Sequence, residues 1–281
     1  MIIWLASYPK SGNTWLRALL SNYLYSNDGK FDFDLLYKID SFPSERFFKN
    51  YPDKFERPED TAKYWLTEQE KINKSQNITF FKTHNALCKI NGNRFTNSEN
   101  TLGAIYIVRD PRNVITSLAH HYQISKEDAL DFMLDEKKGI VSKVDNRYVG
   151  FQPLFSWILN QKSWVENRNF PVLTIRYEDL QDETFNTFKK VFDFINKLTN
   201  SKKSIDKEKA KESIKNCTFE SLKKLEQNKG FNEAITKKGS NEKLIFFNLG
   251  KENNYKKLLN NNLINKMNDL FQNELVKFNY E

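Results

Sequence analysis

The chain has 281 residues, 44 basic against 36 acidic side chains, a net charge of +8 and 14 % aromatics, which is enough apolar bulk for one large α/β core. It holds no run of about eighteen apolar residues, and Met1 leads straight into a strand pattern without a signal segment, so neither a membrane span nor secretion is expected. Cys88 and Cys217 sit in unrelated contexts, which argues against a disulfide framework or metal cluster and for a reducing, cytoplasmic setting. The basic excess lies in Lys-rich segments such as 202–215, where Asp206, Glu208 and Glu212 are interleaved as on a solvated helix face; no nucleic-acid-binding pattern accompanies it.

The first element is an apolar run, Ile2 to Ala6, that fits one strand. A polar turn, Ser7 to Thr14, carries Pro9, Lys10, Ser11 and Gly12, and a helical pattern then sets in with Trp15, Leu16, Leu19 and Leu20. A strand that enters a helix through a Gly-bearing turn makes an anion site. The turn and first-turn amides converge there, and the helix dipole adds positive charge. Lys10 adds a full charge, and Ser11, Asn13 and Thr14 add side-chain donors. The spacing is not that of the common nucleotide loop, in which Lys follows the last Gly; here Lys10 precedes Gly12.

Residues 8–15, YPKSGNTW, resemble the 5′-phosphosulfate loop of the cytosolic-type sulfotransferases, close to YPKSGTTW, with Asn13 in place of a Thr. After the first helix, which fades near Tyr25, residues 26–76 read as a long irregular region broken by Pro43, Pro52 and Pro58 and rich in Phe, Tyr and Trp. Its rings are either a satellite core or the wall of an apolar pocket; the resemblance places acceptor-binding loops here.

The second strand is expected at Ile78 to Lys82 and ends in Lys82-Thr83-His84, similar to the family's Lys-Thr-His. Ligands of open α/β sheets bind outside the strands' carboxyl ends, so His84 is the candidate base. The third strand, Ala104 to Val108, runs into Arg109-Asp110, and Pro111 opens a helix. Arg109 and Ser117, eight residues apart, resemble the family's pair that holds the 3′-phosphate. Asp110 would orient Arg109, and His120 and His121 are either pocket or surface.

Gly139 to Gly150 reads as a loop, and Phe151 to Glu166 as a helix with Trp157 and Trp164 in the core. A fourth strand, Val172 to Ile175, leads into Tyr177-Glu178-Asp179-Leu180, another resemblance, which puts Tyr177 near the adenine. Asp179 to Asp182 read as the entry of an amphipathic helix bearing Phe185, Phe188, Val191, Phe192 and Ile195. Residues 197–281 form a Lys/Asn-rich helical part. In it Phe219 lies where the family stacks a ring on adenine, and 246–256 looks like the family's closing loop, with Gly250 kept. The basic pair before that Gly is replaced by Asn248-Leu249, with Lys237, Lys238 or Lys251 as candidate substitutes, and a tail helix is expected over Leu258 to Phe278.

Strand–helix alternation predicts an α/β class. The resemblance refines it to a single P-loop-like domain over residues 1–281, with a mainly parallel central sheet and helices on both faces. It implies transfer of a sulfuryl group from 3′-phosphoadenosine 5′-phosphosulfate (PAPS) to a hydroxyl or amine of a small-molecule acceptor. The rings of 26–76 point to an apolar or aromatic acceptor, although they are equally core candidates and a carbohydrate would also stack on them, and Lys10 with the loop amides makes a metal unnecessary. The resemblance also assigns roles. Lys10, Ser11, Gly12, Asn13 and Thr14 hold the 5′-phosphosulfate, Lys82 meets the sulfuryl oxygens, and Ser117 restrains Lys10. Arg109, Ser117 and Gly250 face the 3′-phosphate, and Trp15, Tyr177 and Phe219 enclose the adenine. Two rivals stay open at this point: a nucleotide-dependent kinase, and a non-catalytic protein that retains the nucleotide pocket.

Overall fold

Every residue of β1 (Ile2–Ser7) is buried, as a strand covered on both faces requires. The computed structural model describes residues 1–281. The elements following β1 are α1 (Asn13–Tyr25), β2 (Asp40–Ser41), α2 (Glu45–Phe48), α3 (Trp65–Asn73), β3 (Thr79–Thr83), β4 (Lys89–Ile90), β5 (Asn93–Arg94) and β6 (Thr101–Val108). Next come α4 (Pro111–Tyr122), α5 (Lys126–Leu134), β7 (Gly139–Val144), β8 (Arg147–Pro153), α6 (Trp157–Val165), β9 (Val172–Arg176) and α7 (Tyr177–Asp182). The remaining helices are α8 (Thr184–Leu198), α9 (Lys207–Asn216), α10 (Phe219–Lys229), α11 (Tyr255–Leu258) and α12 (Asn261–Lys277), with a mostly irregular stretch between α10 and α11.

The main sheet has five parallel strands in the order β2-β3-β1-β6-β9. Strand pleating divides the side chains of β1 between two cores. Ile2, Trp4 and Ala6 face one packed by α4, α5, α6 and α12; Ile3 and Leu5 face another packed by α1, α8, α9 and α10. Trp4 is the hub of the first, with its ring 5.7 Å from Phe42 and 5.0 Å from Phe95 and its Nε1 donating to Thr101 Oγ1 at 2.9 Å. Aromatic pairs of this kind contribute about 0.5–1.5 kcal/mol beyond their buried area.

The order places a topological switch at β1: the chain moves to β3 on one side and then to β6 on the other. The register sets Leu5 beside Lys82, Ser7 beside Ile107 and Val108 beside Arg176, so the carboxyl ends of β1, β3, β6 and β9 finish nearly level. This edge is where an open α/β sheet binds its ligand.

Several expected boundaries change. Residues 139–150 belong to the antiparallel hairpin β7–β8, not a loop, with Asp145 and Asn146 both at positive φ, as the tight hairpin turn requires. The helix expected from Phe151 begins only at Trp157: β8 runs to Pro153, and Ser156 caps α6 by accepting from the Leu159 amide at 3.2 Å. Asp179 to Asp182 lie inside the short helix α7 rather than capping α8; the tail helix expected over Leu258 to Phe278 is α12, unbroken from Asn261 to Lys277, with the short α11 before it.

The aromatic region 26–76 is mostly core: Phe42, Phe48, Phe55 and Trp65 are fully buried. Asp110 does not orient Arg109. It caps α4 through the Arg112 amide and pairs with the Arg112 guanidinium at 2.8 Å. Arg112 also donates to the carbonyl of Tyr280, whose hydroxyl donates to Glu178 at 2.9 Å, while Glu178 accepts from the Asp110 amide at 3.1 Å.

Candidate active site

At the carboxyl edge lies a cavity of about 380 Å³. Its floor is the turn Tyr8–Gly12 and the first turn of α1, its sides are the ends of β3 and β6 with α4, and its roof is the segment 231–254. Lys10, Gly12, Asn13, Thr14, Trp15, Lys82, His84, Arg109, Ser117, Tyr177, Phe219 and Gly250 all line it. Residues this far apart in sequence meet because three parallel strands end together.

The turn is built for an anion. Lys10 takes a left-handed φ of 65°, uncommon for a side-chain-bearing residue, and Gly12 one of 98°. A Cβ on Gly12 would lie 2.4 Å from Tyr177 Cδ2, so only glycine fits there. The amides of residues 10–14 donate to no backbone carbonyl, and α1 carries no side-chain cap. Ser11 Oγ and Arg109 Nε are buried without a partner. Buried polar atoms left open at a helix N-terminus among cations fit a phosphate group. Asn13 differs from expectation: its carboxamide nitrogen turns back to β1, donating to Leu5 O at 2.9 Å and to Ser7 Oγ at 3.2 Å, so of its donors only the backbone N–H is left for an anion.

Lys10 lies with its ammonium 3.8 Å from the ring centre of Phe246. Burial, reinforced by Lys82 and Arg109, lowers its pKa to about 7. Arg109 stacks its guanidinium 4.1 Å from the ring centre of Tyr177 and donates to Lys10 O at 3.0 Å and Ser117 Oγ at 3.4 Å. Ser117 therefore contacts Arg109 rather than Lys10, and it also accepts from Asn253 Nδ2 at 3.0 Å. Trp15 packs edge-on to Tyr177 at 5.7 Å and donates from Nε1 to Cys217 O at 2.8 Å. The ring of Phe219 lies against Gly250, where a Cβ would come within 2.5 Å of it.

His84 Nδ1 lies 2.8 Å from the carbonyl oxygen of Ser7. A carbonyl only accepts, so Nδ1 carries the proton and Nε2 is left as a bare lone pair. Burial, then the Lys82 charge, lowers the imidazole pKa to about 3, which keeps it neutral at ordinary pH.

Of region 26–76 only Ser41 reaches the cavity. Its aromatic wall comes instead from Tyr122, Phe246 and Phe247, with His120 and His121 alongside. Lys237, Lys238 and Lys251 are exposed and do not line it; Lys223 reaches the Asn248-Leu249 replacement, donating to Asn248 O at 2.8 Å. Glu233, Asn253 and Phe246 were not legible as site residues. Each sits on the roof segment, where no periodic pattern marks its direction.

The chain matches the sulfotransferase domain family over residues 2–279. It belongs to the sulfotransferase family. That family is one of PAPS-dependent enzymes, and the α/β sheet with its open carboxyl edge is its fold. The chain is 27 % identical to flavonol 3-sulfotransferase of Flaveria bidentis over 97 % of its own length and 81 % of that protein. It is 26 % identical to cytosolic sulfotransferase 14 of Arabidopsis thaliana over 80 % of its own length and 62 % of that protein. Among solved structures it is similar to a mouse sulfotransferase complexed with PAP (adenosine 3′,5′-bisphosphate), with a TM-score of 0.57 and 18 % identity over 97 % of this chain and 83 % of that one. No helix is long and apolar enough to cross a membrane.

Proposed function

We propose that this sulfotransferase carries out in-line sulfuryl transfer from PAPS to the hydroxyl, or amine, of a small aromatic or apolar acceptor, with His84 as general base. The observation that carries this is the 2.8 Å bond from His84 to Ser7 O, which fixes the tautomer and leaves Nε2 as proton acceptor beside Lys10 and Lys82 in one cavity. In the step, the acceptor oxygen bonds to sulfur as the sulfur–oxygen bond to the 5′-phosphate breaks. The acceptor proton goes to His84 Nε2, and the bond's electron pair leaves on the phosphate. Lys10 neutralises that charge, and Lys82 meets the sulfuryl oxygens. Positioning and charge supply most of the acceleration, as in phosphoryl transfer. A pKa of about 3 would make a weak base. Burial is the larger cause of that value and the Lys82 charge the next, with Lys10 adding to it; an anionic donor offsets the two ammonium charges and so raises it from the donor-free value.

Ser11, Thr14 and the free amides would hold the 5′-phosphate, Arg109 and Ser117 the 3′-phosphate, and Trp15, Tyr177 and Phe219 the adenine, with Gly250 allowing the roof to lie on Phe219. The phenolic acceptor in the name of the Flaveria relative, and the rings of Tyr122, Phe246 and Phe247 in the wall, support an aromatic acceptor. The Arabidopsis relative's name and the absence of a membrane-length helix support a cytosolic setting. A kinase reading fares worse, because the acid it would need after β6, Asp110, is taken up by Arg112.

The test is transfer of labelled sulfate from PAPS to a panel of phenols, alcohols, amines and sugars, with ATP and Mg²⁺ as the rival donor. Wild type should transfer sulfate, and His84→Ala should lose about 10²- to 10⁴-fold. An equally active His84→Ala protein rules out His84 as base; PAP binding without transfer to any acceptor points to a non-catalytic protein.

A further inference from the structure

Glu233 is the one acid lining the cavity, and no sequence motif marks it. Its Oε2 lies 2.8 Å from Lys82 Nζ and 3.4 Å from Thr14 Oγ1, and its other oxygen accepts from Arg17. Arg17 is itself fixed in the interior at 3 % exposure, donating from Nε to Ile39 O at 2.6 Å and from Nη2 to Leu36 O at 2.9 Å. Backbone carbonyls thus hold Arg17, Arg17 holds Glu233, and Glu233 holds Lys82. Breaking one member of such a buried set leaves an uncompensated charge.

We propose that Glu233, anchored by Arg17, is a positioning residue for the transfer step, keeping the Lys82 side chain charged and aimed at the place through which the sulfuryl oxygens pass. The proposal rests on the transfer reading of this site. Lys82 needs such a partner. Lys10 from the first turn, Arg17 from α1, and the neutral imidazoles of His84 and His121 surround it, and Asp40 on β2 is the other acid that acts on it. Burial draws the ammonium below its ordinary range, Glu233 draws it back up, and Arg17 opposes. Although burial raises the Glu233 carboxyl, Lys82 and Arg17 together hold it well below the usual carboxylate range, so the counter-charge is permanent.

The experiment compares wild type, Glu233→Gln, Glu233→Asp, Lys82→Gln and the Lys82→Gln/Glu233→Gln double variant from pH 6 to 10. Transfer of labelled sulfate from PAPS is read alongside calorimetric binding of PAP. In Glu233→Gln the alkaline limb of both profiles should move down by about one to three pH units. At pH 8, kcat should fall roughly tenfold or more, with a smaller change in donor KM, since each unit leaves about a tenth of the ammonium. Glu233→Asp should recover part of the loss, and Glu233→Gln should add no further shift in the Lys82→Gln background. A Glu233→Gln protein that turns over as fast as wild type and binds PAP more tightly overturns the proposal, making Glu233 a counter-ion the donor displaces. Reduced kcat with unmoved profiles overturns it too. If wild type transfers nothing, the transfer reading fails by itself, and the PAP-binding profiles still decide the Lys82–Glu233 pairing.

Discussion

The ring of Tyr177 fills the space that a side chain at residue 12 would need, with its Cδ2 only 2.4 Å from an ideal Cβ there. Floor and wall are mutually exclusive at that point, and glycine resolves the conflict while also tolerating a φ of 98°.

Gly12→Ala should therefore lose PAP affinity at least about tenfold and stability by about 1–3 kcal/mol. Calorimetry and urea unfolding check the two arms. Removing the obstructing ring as well, in Gly12→Ala/Tyr177→Ala, should return part of the stability and none of the Arg109 stacking.

Lys10 sits with its pKa near 7 in the donor-free site, and an anion beside it favours the charged form. PAP binding should take up a proton above pH 7, and affinity should fall as pH rises, approaching tenfold per unit. Calorimetry in buffers of different ionisation enthalpy reads the uptake directly. A binding enthalpy independent of buffer at pH 8 would contradict the assignment.

Burial holds His84 and His121 each at about 3, below the 6.5 they regain on unfolding. The unfolded chain binds more protons between those values, so this contribution to stability is fully present above about pH 6.5 and is lost as pH falls toward 3. The slope is at most about 1.4 kcal/mol per pH unit for each histidine. Thermal melts from pH 7.5 to 5 should show it, and His84→Gln and His121→Gln should each flatten it.

Asp110→Asn keeps a helix-capping oxygen but leaves the Arg112 guanidinium buried beside a neutral partner. Unfolding free energy should fall by about 3–5 kcal/mol, the cost of breaking a buried pair from one side. The expectation that Asp110 serves Arg109 instead would have placed the loss in nucleotide affinity with stability intact.

What the sequence made legible follows from where the chemistry is local. The turn from Tyr8 to Thr14, the strand end at Lys82–His84 and Arg109 with Ser117 each carry their residues within a few positions of one strand, so motif and geometry coincide. The main strands were placed within a few residues because their apolar runs are bounded by polar turns. The hairpin β7–β8 escapes the sequence pattern although Asp145-Asn146 is a turn signal, since β7 is largely exposed and neither strand alternates cleanly between buried and exposed positions. The aromatics of 26–76 were ambiguous by composition; packing against Trp4 puts Phe42 in the core, and the pocket takes its rings from elsewhere. Glu233 and Asn253 were invisible because each acts through a partner 136 or more residues away, on α1, β3 or α4.

Tyr280 joins the ends of β6 and β9 through Arg112 and Glu178, across 168 and 102 residues of chain. During synthesis β1 precedes the other strands and stands at the centre of the sheet; β6 and β9 can pair, and Asp110 can reach Glu178, once β9 and α7 are made, whereas the further tie from Arg112 through Tyr280 to Glu178 forms only after Tyr280 has left the ribosome. Until the last helix docks, Arg112 waits without two of its acceptors, Asn268 Oδ1 and Tyr280 O, and a nascent chain halted before α12 would carry the whole nucleotide loop but not this tie.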